Sequence, residues 1–340
     1  MALHTVVRGV GHFVPEQVVT NDDLARLMDT SDEWIRERTG IQERRFVQNV
    51  TPASELGVHA AKLAIEQAGV SPTAVDYVIA ATLSPDYYFP GIGTLLQHKL
   101  GLQHVPALDV RAQCSGLVYG LAVADSLIRA GAAKTLLLVC AEVQSIVLDF
   151  STSGRDTAVL FGDGAGALVL AAEEGQSLPG PGNGVRGVID SLLGSDGSGA
   201  ELLCVEAPGS GTPGFLSQEV VNSAKWRPRM DGRQVFKHAV TRMGDTAEAI
   251  LQRNGVGAED IALLIPHQAN LRINEAVRER LGLRPEQVFN NIERYGNTTA
   301  ATIPICMSEA VEQGRLKQGD LVLTLAFGAG FTWGANLLRW

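Results

Sequence analysis

The sequence predicts a layered α/β protein made of two like halves around mixed sheets. Three observations carry this. First, "AIEQAGVSPTAVDYVIAAT" (Ala64 to Thr82) and "AILQRNGVGAEDIALLIPHQ" (Ala249 to Gln268) read alike. Each joins the end of an amphipathic helix, a Gly-Val pair, a short polar turn and a Val/Ile/Leu run that suits a buried strand. Second, the echo continues at a similar interval, as helix and strand patterns alternate. Third, 340 residues, 45% of them hydrophobic, can build two halves with a sizeable core.

The elements follow in order. "MALHTVVRGVGHFVPE" has no apolar core of signal-peptide length. Gly69 and Gly255 are expected helix C-caps, about 186 positions apart. "KLGL" ending at Leu102 answers "RLGL" ending at Leu283. "DVRAQCSGLVYGLAVADSLIRAG" (Asp109 to Gly131) places one cysteine, Cys114, where an alanine- and leucine-rich helix begins. The strand entered through "RAGAAKTLLLV" answers "EQGRLKQGDLVLTL". "LFGDGAGALVL" (Leu160 to Leu170) answers "LAFGAGFTWGANLL" (Leu325 to Leu338). The expected division is 1–175 and 176–340, one pseudo-symmetric pair rather than a solenoid.

Composition excludes several classes. A net charge of -9 argues against a nucleic-acid surface. No apolar run approaches the roughly 18 residues of a membrane span, so a soluble, cytoplasmic protein is expected. Cys114, Cys140, Cys204 and Cys306 lie far apart without a CxxC pair. Neither a metal site nor a disulfide framework is indicated.

Cys114 opens its helix in the first half; the near-equivalent stretch of the second is "RYGNTTAA", where Asn297 is expected to open a helix. His267 ends a strand, after Pro266. Halves packed face to face would bring Cys114, His267 and Asn297 to one cleft. A helix N-terminus can lower a thiol from its usual value near about 8.5 into a range of about 3.5 to 7.5, and its N–H groups can receive the oxygen of an attacked carbonyl. Taken singly, each residue has a plainer role: core cysteine, hydrogen-bonded histidine, N-cap asparagine. Together they describe cysteine hydrolases. They also describe a cysteine that takes an acyl group while His and Asn hold a second thioester carbonyl as an enolate, and this fits better.

At these residues the chain resembles the β-ketoacyl-acyl-carrier-protein synthase III family of thiolase-fold condensing enzymes. The resemblance rests on "TSDEWIRERTGIQERR" (Thr30 to Arg45), the Cys114 helix, "FGDGAGA" (Phe161 to Ala167), "LGSDG" (Leu193 to Gly197), "PHQANLRI", "YGNTTAA" and "FGAGFTWGA" (Phe327 to Ala335). It implies an α-β-α-β-α layering and a homodimeric acyltransferase that initiates fatty acid biosynthesis. Such an enzyme joins an acyl-CoA primer to malonyl-acyl carrier protein with loss of carbon dioxide. It implies Cys114 as acyl-carrying nucleophile, His267 and Asn297 as holders of the malonyl thioester carbonyl, and the backbone N–H groups of Cys114 and Ala329 as oxyanion donors. Trp34, Arg38, Arg155, Phe236 and Asn270 would bind coenzyme A. Gln268, Ala269, Asn270, Leu271, Arg272 and Lys237, with Arg233 adding charge, would meet the carrier protein. Phe89 would reach the partner's acyl pocket. No metal or redox cofactor is implied; coenzyme A thioesters are substrates. The segment Cys204 to Gly232 is longer than in the simplest relatives, and the family places it near the tunnel mouth. Three other readings stand beside this one: a condensing enzyme or acyltransferase of secondary metabolism, a cysteine hydrolase, and a non-catalytic binding module.

Overall fold

The computed structural model describes residues 2–175, 184 and 186–340. The expected 175/176 division falls at the edge of the stretch outside the described residues. The apolar strand Thr135–Glu142 shows why the protein is layered. Leu136, Leu138 and Cys140 enter one core, while Leu137, Val139 and Ala141 enter another. A strand buried on both faces reads as a continuous apolar run and needs helices on both sides.

The first sheet runs Ala2–Phe13, Gly164–Gly175, Thr135–Glu142, Tyr77–Ala81, Ala107–Val110. Its first three strands are antiparallel neighbours and its last three are parallel. The second runs Gly187–Ser195, Thr332–Arg339, Leu321–Gly328, Leu263–Pro266, with only the last pair parallel. The orders match strand for strand up to the edge. There the fifth strand shrinks to one bridge between Leu264 and Val288. The 3-10 turn Pro285–Gln287 leads into it.

Two helices, Gly116–Arg129 and Thr302–Glu312, lie between the sheets. Leu117, Leu121 and Ile128 share one core with Ile303, Met307 and both inner sheet faces. Burying each such side chain contributes about 1.5–3 kcal/mol. Gly116 is needed where these helices meet: a Cβ there would stand 2.8 Å from the Ala300 Cβ and 3.0 Å from that of Ala81. Helices Ala53–Ala68 and Ile92–Lys99 cover the outside of the first sheet, and Gly232–Arg253 and Leu271–Arg280 that of the second. The layering is α-β-α-β-α.

A smaller cluster of Leu24, Ile35, Ile41, Leu160 and Ile292 ties the Trp34 helix, Asp32–Thr39, to both halves. Arg44 is fully buried beside it and donates to the Val19 carbonyl at 3.2 Å, Asn21 Oδ1 at 2.9 Å and the Val159 carbonyl at 2.8 Å. Burial lowers its pKa to about 10, so it stays charged at neutral pH. The 204–232 segment is closed at its base by the ladder Leu203–Cys204 with Arg229–Met230. Arg227 pins it to Asp149 at 2.8 Å.

Candidate active site

The cysteine sits in a 3-10 turn, Gln113–Ser115, that runs directly into the central helix Gly116–Arg129. Gln113 takes a φ of 44°, which turns the chain sharply from the sheet edge into the helix. Cys114 is 6% exposed at the wall of a cavity of about 540 Å³. His267 and Asn297, both from the second half, share that wall with Phe161, Phe327 and Gly328. The strand end opposite must be glycine. A Cβ on Gly328 would lie 2.7 Å from the Cys114 Cβ and 3.1 Å from its nitrogen.

Electrostatics correct one expectation. The helix start was expected to lower the thiol pKa; the structure places the thiol at about 12. Burial is the larger cause, and the Glu142 carboxylate adds to it. Hydrogen bonds from the backbone N–H of Cys114 itself and of Ala329 pull the other way without winning. The resting sulfur is therefore a thiol, and the two N–H groups that point at it are the donors an oxyanion formed there would meet.

His267 follows the strand Leu263–Pro266, and its own N–H donates to the Leu325 carbonyl at 2.7 Å. Burial lowers its pKa to about 3, so the ring is neutral. Nδ1 lies 2.7 Å from the Thr302 hydroxyl, while buried Nε2 has no protein partner. Asn297 does not open a helix. It stands ahead of the 3-10 turn Thr299–Ala301 and the helix Thr302–Glu312. Its Oδ1 accepts the Thr299 N–H at 2.8 Å, which leaves its amide NH2 as a donor.

At the mouth, the Arg38 guanidinium lies 4.5 Å and that of Arg155 4.7 Å from the Trp34 ring centroid. Trp34 and Arg38 line the cavity. Arg155 stands behind them and donates to the Asp29 carbonyl at 2.7 Å. Phe236, Ala269, Asn270, Arg233 and Arg272 also line the mouth, and the Arg272 guanidinium sits 5.4 Å over the Phe236 ring. Asn270 donates to the Arg38 carbonyl at 2.8 Å and caps the helix Leu271–Arg280. Lys237 is exposed next to this rim, and Leu271 packs into the cluster around the Trp34 helix. Leu203 and Met230, the base of the 204–232 segment, line the cavity as well.

Gln268 requires a second correction. It was placed among the carrier-protein contacts, yet it is 0% exposed. Its amide donates to the Pro266 carbonyl at 2.7 Å, and its Oε1 accepts from the N–H groups of Asn291 and Ile292 at 3.1 and 3.2 Å. It fixes the loop that leads to Asn297 and cannot meet a partner. Phe89 is 80% exposed and does not line this cavity.

Sequence reasoning missed Thr302, Glu142 and the buried Glu309. Glu309 accepts a bidentate pair from Arg294 at 2.8 and 2.7 Å, the Tyr295 hydroxyl at 2.6 Å and the Asn291 amide at 3.0 Å. Such a cage holds the helical turn Ile292–Tyr295 just before Asn297. The one available signal was the odd carboxylate at the end of each apolar run, which carries no spacing rule.

Comparison with known proteins agrees with this geometry. Residues 108–197 match the family 3-oxoacyl-[acyl-carrier-protein (ACP)] synthase III, and residues 251–340 match its C-terminal counterpart. The β-ketoacyl-[acyl-carrier-protein] synthase III of Rhodospirillum centenum is 45% identical over 342 residues, covering 100% of both chains. The crystal structure of 3-oxoacyl-[acyl-carrier-protein] synthase III from Aquifex aeolicus superposes with a TM-score of 0.88 at 42% identity, covering 99% of this chain and 100% of that one. The priming β-ketosynthase of the R1128 polyketide pathway gives 0.88 at 30% identity, covering 99% and 96%. A cysteine turn from one half shares its cavity with a histidine and an asparagine from the other, and full-length similarity at this level shows the rest: the chain belongs to the β-ketoacyl-acyl-carrier-protein synthase III family.

Proposed function

We propose that Cys114, His267 and Asn297 together carry out the family's reaction, the decarboxylative condensation of an acyl-CoA primer with malonyl-acyl carrier protein. The chain is an acyltransferase of fatty acid biosynthesis. The observation that supports this assignment of roles is the shared wall: a buried thiol with two backbone N–H groups on it lines one cavity with a neutral imidazole and an amide whose NH2 remains to donate.

In the first half-reaction Cys114 Sγ attacks the thioester carbonyl. Its carbon–sulfur bond to coenzyme A then breaks, and the thiol proton leaves with coenzyme A. The N–H groups of Cys114 and Ala329 hold the oxygen that becomes negative. In the second, His267 in the tautomer whose Nδ1 accepts from the Thr302 hydroxyl donates its Nε2–H, and the Asn297 amide its N–H, to the malonyl thioester carbonyl. The bond to the carboxylate breaks, its electrons form the enolate, and carbon dioxide leaves. The enolate carbon attacks the acyl carbon; Sγ departs and regains a proton from solvent. Covalent capture divides one hard step into two. A neutral histidine suits the donor role, since burial would penalise an imidazolium.

The mouth fits coenzyme A: an indole and guanidinium groups suit an adenine and its phosphates. The rim cations Arg233, Lys237 and Arg272 suit an acidic carrier protein, and such pairing speeds encounter more than it tightens binding. Exposed Tyr87, Tyr88 and Phe89 support a homodimer in which Phe89 enters the partner's acyl pocket. Among the described residues no helix is long and apolar enough to cross a membrane; we read the enzyme as cytoplasmic, free of metal and redox cofactors, and divided near 175/176. A second reading keeps the chemistry and changes the primer. The 30% identical polyketide-priming relative and the long 204–232 segment at the mouth favour it.

The test is carbon dioxide release from carboxyl-labelled malonyl-carrier protein. Release that requires an acyl-CoA, with 3-oxoacyl product, supports condensation. Hydrolysis of acyl-CoA without release would overturn it in favour of a hydrolase. A panel of acyl-CoAs then separates the two primer readings.

A further inference from the structure

Around the central helix starts and the strands beside them the two halves repeat at an interval of 186 positions, so each catalytic residue has a twin. Gly69 and Gly255 mark that interval, and Cys114 and Ala300 keep it. Both are the middle residue of a 3-10 turn that opens a central helix, and both follow a residue of positive φ, Gln113 at 44° and Thr299 at 49°. On the same interval His267 answers Ala81, Asn297 answers Arg111, and Gly328 answers Glu142. The pairing registers agree: Ala81 faces Cys140, two positions before Glu142, as the strand Leu263–Pro266 runs beside Leu321–Gly328.

At the Cys114 turn the missing side chain of Gly328 makes room for the cysteine's backbone and Cβ, and the Cys114 N–H faces its own sulfur. At the Ala300 turn the opposing residue is a glutamate, 0% exposed. Glu142 Oε1 accepts from the Ala300 N–H at 3.4 Å and from Leu83 N–H at 3.3 Å. Its Oε2 accepts from Ser84 Oγ at 2.8 Å, Gln144 Nε2 at 3.1 Å and Thr82 Oγ1 at 3.2 Å. Val143, the twin of Ala329, gives its N–H to Ser84 Oγ at 2.8 Å. A built-in carboxylate thus occupies the place that a reacting oxygen takes in the other half. Among the described residues it has no ion-pair partner. Burying such a charge is costly unless hydrogen bonds compensate: burial raises the Glu142 pKa above the usual carboxylate value, and the hydrogen bonds from Ser84, Leu83 and Ala300 oppose that rise.

We infer that Glu142 is a positioning residue, a resident anion in the twin of the oxyanion site that clamps the Asn297–Thr302 turn to the first half and so sets Asn297 and His267 against Cys114. This rests on the roles given to those three residues above. The clamp joins three separate segments: the 82–84 turn, the strand end with Gln144, and the start of the second central helix. The helix start it holds is the one whose Ala300 abuts Gly116, two residues after Cys114. Thr302 on the same turn holds His267 Nδ1. The titratable groups facing Glu142 are the thiols of Cys114 and Cys140; its other partners are uncharged. Its charge also bears on Cys114, adding to the burial that already holds the sulfur as a thiol.

The experiment compares wild type with Glu142→Gln and Glu142→Asp in three readouts: acylation of Cys114 by intact mass, carbon dioxide release from malonyl-carrier protein, and the pH profile of iodoacetamide alkylation. For Glu142→Gln we expect acylation within about threefold of wild type and carbon dioxide release reduced by about tenfold or more, as a sub-ångström shift of the donors would cause. Its alkylation profile moves to lower pH because an anion beside the sulfur is gone. Glu142→Asp keeps the charge and shortens the reach, so its alkylation profile stays near wild type while carbon dioxide release falls. This second variant also serves if the first folds poorly. Wild-type release and an unmoved pH profile in Glu142→Gln would overturn the inference, as would equal loss of both half-reactions in a folded Glu142→Asp. A wild type that takes no acyl group would instead sink the catalytic assignment itself, so the two failures are distinguishable.

Discussion

The two central helix starts differ in little but the residue set against them. The turn at Cys114 and the turn at Ala300 share a 3-10 geometry, a positive-φ entry and a helix that runs into the same core. Opposite Cys114 the strand ends in Gly328; opposite Ala300 the matching strand ends in Glu142. One scaffold therefore leaves an open cavity wall where a side chain is missing and builds a filled, hydrogen-bonded junction where one is present. On the proposed roles, Cys114 as nucleophile depends on emptiness across the interface as much as on the cysteine.

The harshest way to break this contrast is to fill the empty side. Gly328→Val should reduce Cys114 acylation at least about 100-fold, since misplacement near 1 Å costs that much. Intact mass after acyl-CoA exposure reads it, and circular dichroism should show the fold retained. Normal acylation would mean that the cysteine turn yields freely and the contrast is false.

A second prediction separates the halves by chemistry. His267→Ala and Asn297→Ala should each preserve acylation within a few-fold and lose carbon dioxide release by about 10²-fold or more. Equal loss of both half-reactions would reassign the second half to the first step.

How far the sequence disclosed this contrast can be told residue by residue. The cysteine helix was legible because Leu117, Leu121, Ala124 and Ile128 recur at helical spacing and are buried. The strand end at His267 and the repeat were legible for the same kind of local reason. The thiol's protonation was not: the helix start is local, but the burial that outweighs it comes from both halves. Gln268 was misread because its neighbours in the motif face the mouth, while its own side chain turns inward to Asn291. Glu142 was invisible because its partners lie up to 158 positions away, and no spacing rule reaches that far.

A gentler test concerns the mouth. Trp34→Ala should raise the KM for acyl-CoA about tenfold and leave kcat little changed, as loss of uniform binding does. A fall in kcat with KM unchanged would move Trp34 from binding to chemistry.

The smallest effect is on stability. His267 is neutral in the fold, with a pKa near 3 against an ordinary 6.5. Below 6.5 the unfolded chain binds a proton that the folded one refuses. Stability is therefore full above about pH 6.5 and declines as pH falls toward 3, by at most about 1.4 kcal/mol per unit from this group. His267→Asn should flatten that part of the wild-type curve in chemical denaturation between pH 7 and 5. Parallel curves would show that the ring is not held neutral.

The most direct measurement is the mass of the intact chain after brief exposure to a panel of acyl-CoAs, followed by peptide mapping. The expected result is one acyl group on the peptide containing Cys114, its mass naming the primer, and none in Cys114→Ala. An acyl group on the half-exposed Cys204, or acyl-CoA consumed while the chain stays unmodified, would contradict the account.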